Sequence, residues 1–455
     1  MWAYESIFYQ VFPLGLCGAP QENDGVFEPR IKRIIDWADY LHDLGIGSVL
    51  LNPVFESSTH GYDTRDLRRI DCRLGSEDDF ALVVDELHNR GIRVVLDAVF
   101  NHVGREFWAF VDLKEHGWDS RYRDWFITNF DGDSPYGDGF WYEGWEGHFE
   151  LVKLNLTNPE VVGYLLDCVR FWRERFGIDG LRLDVAYSLD RGFIGRLRAL
   201  ADELGAQGGP GREFVLIGET LHGDYSQLVG DGMLHSCTNY ECYKGLYSSF
   251  NSHNMFEIAH SLHRQFGSDP WCIYRGMHLL SFADNHDVTR LASILADPGH
   301  IPCAYGVLFG MPGIPCLYYG SEWGIEGVKG AGSDWSLRPA LEQPEHTEVT
   351  AFIERLIRAR TARDATTGAL APASAALAYG SYRNVVIASE QLLFERACEG
   401  ARVLVAVNAS AQPAHLSAGE LAGTFDDLIE NGEPVELNGA IDLGPYSVRY
   451  LAARG

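Results

Sequence analysis

The sequence predicts an α/β protein: a closed parallel (β/α)8 TIM barrel with an inserted domain after the third strand and a C-terminal antiparallel β-sandwich domain. Three observations carry this. Eight short apolar runs alternate with stretches of helical length and amphipathic period. A long aromatic, glycine-rich segment interrupts that alternation once, and after about residue 374 the pattern changes to short strands separated by turn residues.

Taken in order, the expected barrel strands are residues 6–12, 47–52, 93–97, 180–184, 214–218, 236–239, 279–283 and 314–318. Between them the 3.6-residue period predicts helices over 29–44, 76–90, 159–176, 193–204, 248–266 and 301–309. Pro159 suits the first turn of its helix, with Asn158 as N-cap. Residues 103–157, including GDGFWYEGWEGHF, have little regular period; a loop that long inside a barrel reads as a small inserted domain. The barrel is therefore expected over 1–102 and 158–365, a linker rich in Ala, Thr, Pro and Ser over 365–376, and a β-domain over 374–455.

Composition narrows the partners. The 455 residues carry 37 Lys and Arg against 64 Asp and Glu, a net charge of −27. Phosphate backbones and anionic lipid would repel such a chain, so neither nucleic acid nor membrane is an expected partner. The N-terminus MWAYESIFYQVF lacks the basic and apolar regions of a signal peptide, and no apolar run reaches about 18 residues. Nine cysteines, scattered and without a C-x-x-C pair, read as free thiols of a cytoplasmic protein, with no metal cluster among them.

Charged residues then gather where the strands end. GLRLDVA (180–186) sends Arg182 and Asp184 to one face of an otherwise apolar strand. DAVFNH (97–102) offers Asp97, Asn101 and His102; VLIGE ends at Glu219; ADNHD carries His286 and Asp287; and Asn52 is followed by HGYD with His60, Tyr62 and Asp63. A single Asp after a strand is most often a helix N-cap. Acids, arginine and histidines delivered to one rim by four strands make a site. Three carboxylates with an arginine suit glycosidic bond cleavage, which needs one protonated acid for the leaving oxygen and one carboxylate facing an oxocarbenium-like carbon. Arg182 would keep Asp184 ionised, and burial would keep the acid protonated.

These motifs, in this order and spacing, resemble those of the α-amylase superfamily of glycoside hydrolases, as does GMPGIPCLYYGSEWG (310–324). The resemblance implies Asp184 as nucleophile, Glu219 as general acid/base and Asp287 as transition-state stabiliser. It also implies that Arg182, His102 and His286 hydrogen-bond the sugar, that Tyr62 stacks on it, and that Asp97 supports the site. Within the superfamily, LVKLNLTNPEV (151–161) is similar to the neopullulanase, cyclomaltodextrinase and maltogenic amylase group, whose members carry an N-terminal β-domain; here the barrel begins almost at Met1. Thr220-Leu221-His222 stands where the group has a tryptophan after the acid. The family's calcium site uses an Asn like Asn101 and a residue four after the nucleophile, here Ser188, so no required calcium is expected.

The expected reaction is retaining hydrolysis of α-1,4 bonds in maltooligosaccharides or dextrins, with some transglycosylation. Val185, after the nucleophile, leaves α-1,6 cleavage or glucan transfer and isomerisation open. A sugar-binding scaffold without catalysis is the reading from another class. Phe140, Trp141, Tyr142 and Trp145 could each stack on a sugar or pack the inserted domain.

Overall fold

The computed structural model describes residues 1–209, 211–430 and 433–454. Eight strands follow one another round a ring: β1 (Phe8–Val11), β2 (Ser48–Leu51), β3 (Arg93–Ala98), β4 (Gly180–Leu183), β5 (Val215–Gly218), β6 (Ser236–Cys237), β7 (Leu280–Phe282) and β8 (Ile314–Tyr318). Parallel pairing runs from β6 through β5, β4, β3, β2, β1 and β8 to β7, and a parallel bridge between Thr238 and Leu280 joins the two ends. The barrel is closed.

Strand alternation explains what fills it. Phe8, Leu50, Val95, Val215, Ile217, Leu280, Phe282, Ile314 and Cys316 form a separate inner core. Tyr9, Val11, Val49, Leu51, Val94, Leu96, Leu181 and Leu183 belong to the larger core beneath the helices. Two residues further on, the same inward faces present Gln10, Asn52, Asp97 and Glu219, and Arg182 stands in register beside Asp97. The lower barrel is apolar and its C-terminal mouth is polar.

Local rules set the helix ends. Asn158 caps Pro159–Phe176 through the Glu160 amide, and Gly177 closes that helix in the left-handed region. Ser76 and Asp79 form a capping box at Glu77–Asn89. The single helix expected over 248–266 is instead two, Tyr240–Asn251 and Phe256–Phe266. Between them His253 has φ +51°, and the Ser249 hydroxyl takes the Ile258 amide. The break lets the second helix meet the C-terminal domain, where Met255 donates to the Ser389 carbonyl.

Between β3 and the helix at Pro159 lies a small layer: the strands His102–Gly104, Gly144–Trp145 and His148–Lys153 pair in one sheet, beside the helix Trp108–His116. Past the barrel, the expected linker is partly helical, since the helix Pro372–Tyr379, which follows the helix Glu348–Thr361, begins inside it and runs into the expected β-domain. Strands β9 (Ser381–Ile387), β10 (Gln391–Cys398), β11 (Ala401–Asn408), β12 (Ala414–Asp427), β13 (Val435–Leu443) and β14 (Ser447–Ala453) form an antiparallel sheet ordered β9-β10-β11-β14-β12-β13. A bulge between Ser417 and Ala422 bends β12, and the sheet encloses a core of Leu393, Leu404, Leu416, Phe425, Leu437 and Leu451. Its other face meets the barrel helix His300–Gly310. There a Cβ on Gly306 would lie 2.6 Å from Val448. No helix among the described residues is long and apolar enough to cross a membrane.

Glu322, just after β8, ties the last strand to the first. Its Oε1 accepts from Tyr9 of β1 at 2.6 Å and from Tyr40 of the helix Arg33–Leu44 at 3.0 Å, while Oε2 is buried without a partner. Burial raises this carboxyl to about 7. An acid raised in the folded state binds a proton that the unfolded chain has released. Its contribution is full below about 4.5 and is lost as pH rises towards 7, amounting to about 3 kcal/mol at most. Glu322→Gln should therefore match the wild type in urea unfolding at pH 5 and exceed it at pH 8. Equal differences at both pH values would refute this account.

Candidate active site

The sequence-predicted site residues converge at the barrel mouth, around one guanidinium. Arg182, 3% exposed, contacts three carboxylates: Nη1 lies 2.7 Å from Asp97 Oδ1 and 3.1 Å from Asp184 Oδ1, and Nη2 lies 2.8 Å from Glu219 Oε1. Asp97 also accepts from the Tyr62 hydroxyl at 2.8 Å and the Asn52 amide at 3.0 Å. Asp97 is thus saturated with donors beneath the cavity, whereas Asp184 and Glu219 line it.

Glu219 is steered by an unusual backbone. Val185, directly after Asp184, has φ +39°, a left-handed conformation disfavoured for a β-branched residue by roughly 1–3 kcal/mol. That turn aims its amide at Glu219 Oε2, 3.0 Å away, and the Ala186 amide bonds the Glu219 carbonyl at 2.9 Å. The Tyr240 hydroxyl stands 3.5 Å from Glu219 Oε1 and accepts from Asn285.

Asp287 forms the facing side. Arg338 Nη2 reaches its Oδ1 at 2.9 Å and His286 Nε2 its Oδ2 at 3.0 Å. Gln10 Nε2 donates to Asn52 Oδ1 at 3.0 Å and to His286 Nδ1 at 2.9 Å, which assigns the ring proton of His286 to Nε2. The Asn101 amide likewise faces His102 Nδ1 at 3.1 Å, leaving His102 Nε2 free of a protein partner and 3.8 Å from Asp184 Oδ2. Burial lowers both imidazoles to about 3, so both are neutral donors at physiological pH.

Four acids against Arg182 and Arg338 leave the mouth negative. Burial raises Asp184 and the Glu219 charge raises it further; burial also raises Glu219, against the opposing pull of Arg182. The pair therefore retains a proton well above the usual carboxylate range. Confinement opposes the Asp287 charge, but His286, Arg338 and Arg182 outweigh it and lower that carboxyl. One group is kept ionised and a neighbouring pair holds a proton, the pattern of acid and base roles set by environment.

Above these groups lies a cavity of about 620 Å³. His60, Tyr62, His102 and Trp145 line it with Leu221, Lys329 and Trp335. Among the aromatics of the inserted domain, Phe140 and Tyr142 are buried in its core and Trp141 is exposed and is not part of the cavity lining; Trp145 reaches the cavity. Asp63 instead holds the turn before it, accepting from Thr59. Sequence reasoning missed Gln10, Tyr240, Trp335 and Arg338. Gln10 carried a readable signal, a polar residue alternating with Tyr9 and Val11 in an apolar strand. The other three reach the site from helices and turns, where no period announces them.

A calcium ion of the kind associated with Asn101 takes six to eight oxygens, usually including carboxylates. Asn101 Oδ1 is a buried oxygen without a partner. The metal-capable clusters of His, Cys, Asp and Glu among the described residues, His263 with Asp269 and Cys272 and Glu56 with Asp71 and Cys72, do not include it.

Comparison with known proteins gives the family. The α-amylase catalytic-domain model matches residues 21–369. A cyclomaltodextrinase of a Bacillus species is 33% identical, over 80% of this chain and 67% of its own length. Neopullulanase 2 of Thermoactinomyces vulgaris is 33% identical over 79% of this chain and 63% of its own. The chain thus spans about two thirds or less of such relatives. In structure, a cyclic α-maltosyl-(1→6)-maltose hydrolase from Arthrobacter globiformis superposes over 100% of both chains, with a TM-score of 0.79 and 26% identity.

Replacing Arg182 by Met should remove the one cation shared by three buried carboxylates, at a cost of about 3–5 kcal/mol near neutral pH. The stranded carboxyls are then raised further, so the deficit should shrink as pH falls and they take up protons. Urea unfolding at pH 5 and pH 8 tests this, and a deficit independent of pH would refute it.

Proposed function

The chain belongs to the α-amylase family of glycoside hydrolases, and we propose that it is a retaining hydrolase of α-1,4 bonds in maltooligosaccharides and dextrins. The observation that carries the reading is the shared guanidinium. Asp184 and Glu219 sit on neighbouring nitrogens of Arg182, a close pairing suited to attack and protonation on one glycosidic bond.

In this reading Asp184 attacks the anomeric carbon as Glu219 gives its proton to the departing glycosidic oxygen. The product is a covalent glycosyl-enzyme and a shortened sugar. Glu219, now a carboxylate, takes a proton from water, whose oxygen attacks the same carbon and frees Asp184. A second sugar hydroxyl can replace that water, giving transfer. Asp287, held ionised by Arg338 and His286, faces the charge that develops on the ring. The unpartnered Nε2–H of His102 is the donor for a ring hydroxyl, while that of His286, buried behind the cavity, is taken by Asp287 and the Tyr62 hydroxyl; Tyr62 lines the cavity as a stacking surface, and Asp97 holds Arg182 and Tyr62 in place. No step uses a metal. The nine cysteines are all free, which suits a reducing cytoplasm.

A second reading is α-1,6 cleavage, favoured by the end-to-end match to the cyclic α-maltosyl-(1→6)-maltose hydrolase. Pullulan separates them: panose as main product means α-1,4 cleavage and maltotriose means α-1,6. Asp184→Asn should lower turnover of every cleaved glucan by at least about 10³-fold, and near-wild-type turnover would end the assignment.

The raised carboxyl pair also sets a pH profile. For the wild type, kcat/KM on maltotriose should be bell-shaped, its alkaline limb lying above the ordinary carboxylate range because the shared proton must be retained. Glu219→Gln should lose activity on maltotriose yet keep formation of the glycosyl-enzyme from α-maltosyl fluoride, whose leaving group needs no proton, and with that substrate the alkaline limb should vanish. An alkaline limb that persists would assign the proton elsewhere.

A further inference from the structure

The hairpin that carries Trp145 to the cavity has a strained tip. Its strands Gly144–Trp145 and His148–Lys153 are joined by Glu146 and Gly147, with φ +48° and +89°. A two-residue turn with both φ positive favours Asn or Gly at its first position, and Glu is disfavoured there. Backbone strain retained at such a point needs something that holds it. The Glu146 side chain has that partner: its Oε1 accepts from the Tyr187 hydroxyl at 3.0 Å. Tyr187 lies three residues beyond Asp184, on the turn after β4, and its ring is tilted against His222, three residues beyond Glu219, with centroids 5.5 Å apart.

The bond joins two walls of one cavity. On one side stand Trp145, His148, Glu150 and Leu151 of the hairpin; on the other stand Val185 and Leu221, from the turns after β4 and β5. Trp145 packs between His148, stacked at 5.6 Å, and His102, at 5.8 Å, so its position is set against the imidazole beside Asp184. Neither Glu146 nor Tyr187 lines the cavity. They close the gap between its walls.

We propose that the Glu146–Tyr187 bridge is a specificity-determining latch, which holds Trp145 as a fixed wall and restricts this site to short linear or cyclic α-glucans. On this proposal a long or branched chain, which exceeds the cavity of about 620 Å³, leaves it between the hairpin and the β4 turn, where the latch stands. In this proposal a short glucan, or one edge of a cyclic one, enters the cavity without crossing it. The proposal rests on the glucan-hydrolase reading above and adds a substrate size to it. Glu146 and Tyr187 are positioning residues, acting through Trp145 and through closure of the cleft.

Two variants cut the latch in different ways. Tyr187→Phe removes only the hydroxyl, and Glu146→Gly removes the carboxylate while relieving the strained backbone, so the hairpin keeps its turn. Initial rates would be measured on maltotriose, β-cyclodextrin and amylose of about 100 glucose units, with thermal unfolding as the check on folding. Each variant should keep kcat on maltotriose within about threefold and raise kcat/KM on amylose relative to maltotriose by about five- to tenfold, the scale of losing one solvent-accessible hydrogen bond. The double variant should equal either single one, because both residues serve one bond. A ratio unchanged in folded variants, or a fall on all three substrates together, overturns the latch. A wild-type protein that cleaves none of the three would instead sink the glucan-hydrolase reading, and the latch with it.

Discussion

A single buried guanidinium organises the catalytic floor of this protein. Arg182 is bonded to Asp97, Asp184 and Glu219 at once, and it opposes the rise that burial imposes on each of those carboxyls. Burying several charges costs more than their mutual attraction returns unless geometry and hydrogen bonding are close to ideal. Here each partner is fixed by another: Asp97 by Tyr62 and Asn52, Glu219 by the Val185 amide, and Asn52 by Gln10. The network is expensive as a stability device and makes sense as a means of setting protonation.

The barrel makes that arrangement possible by separating its two demands along each strand. Inward positions at the lower end are Phe8, Leu50, Val95 and Val215, which fill the closed ring without polar groups. The next inward positions, one pleat higher, are Gln10, Asn52, Asp97 and the Ile217–Glu219 step. A parallel barrel aligns equivalent heights on neighbouring strands, so one polar residue per strand is enough to build a continuous ring of donors and acceptors. The outward residues between them, such as Leu181 and Leu183, anchor the same strands to the helices.

Much of this was legible because it depends on short periods. The alternation in GLRLD placed Arg182 and Asp184 on one face, and the eight strands were found within a few residues of their ends. What stayed hidden depends on long-range placement. Arg338 reaches Asp287 from a turn, and Tyr240 reaches Glu219 from the first residue of a helix, where the period does not say what the helix end will face. The helix break at His253 was obscured because both halves have apolar periodicity, and the deciding contacts, such as the Met255 amide on Ser389, come from the other domain. In the helix Pro372–Tyr379, PASAALAY is too short and its side chains too small for a period to set it apart from a linker; its helicity follows from packing, which a sequence window does not contain.

Strain is divided between floor and walls in a way that mirrors function. Val185 and Glu146 are both non-glycine residues in the left-handed region, and each uses that conformation to make one bond. At Val185 the bond is buried, and it aims an amide at the carboxylate that shares the reactive proton. At Glu146 the bond is at the surface, between an inserted hairpin and a strand-end turn. Buried bonds in a low-dielectric site are strong and hard to exchange, whereas exposed ones compete with water and are readily altered. A barrel floor fixed by the first kind, with walls joined by the second, allows substrate size to change by substitution at the rim while the carboxylate geometry beneath stays as the strands set it.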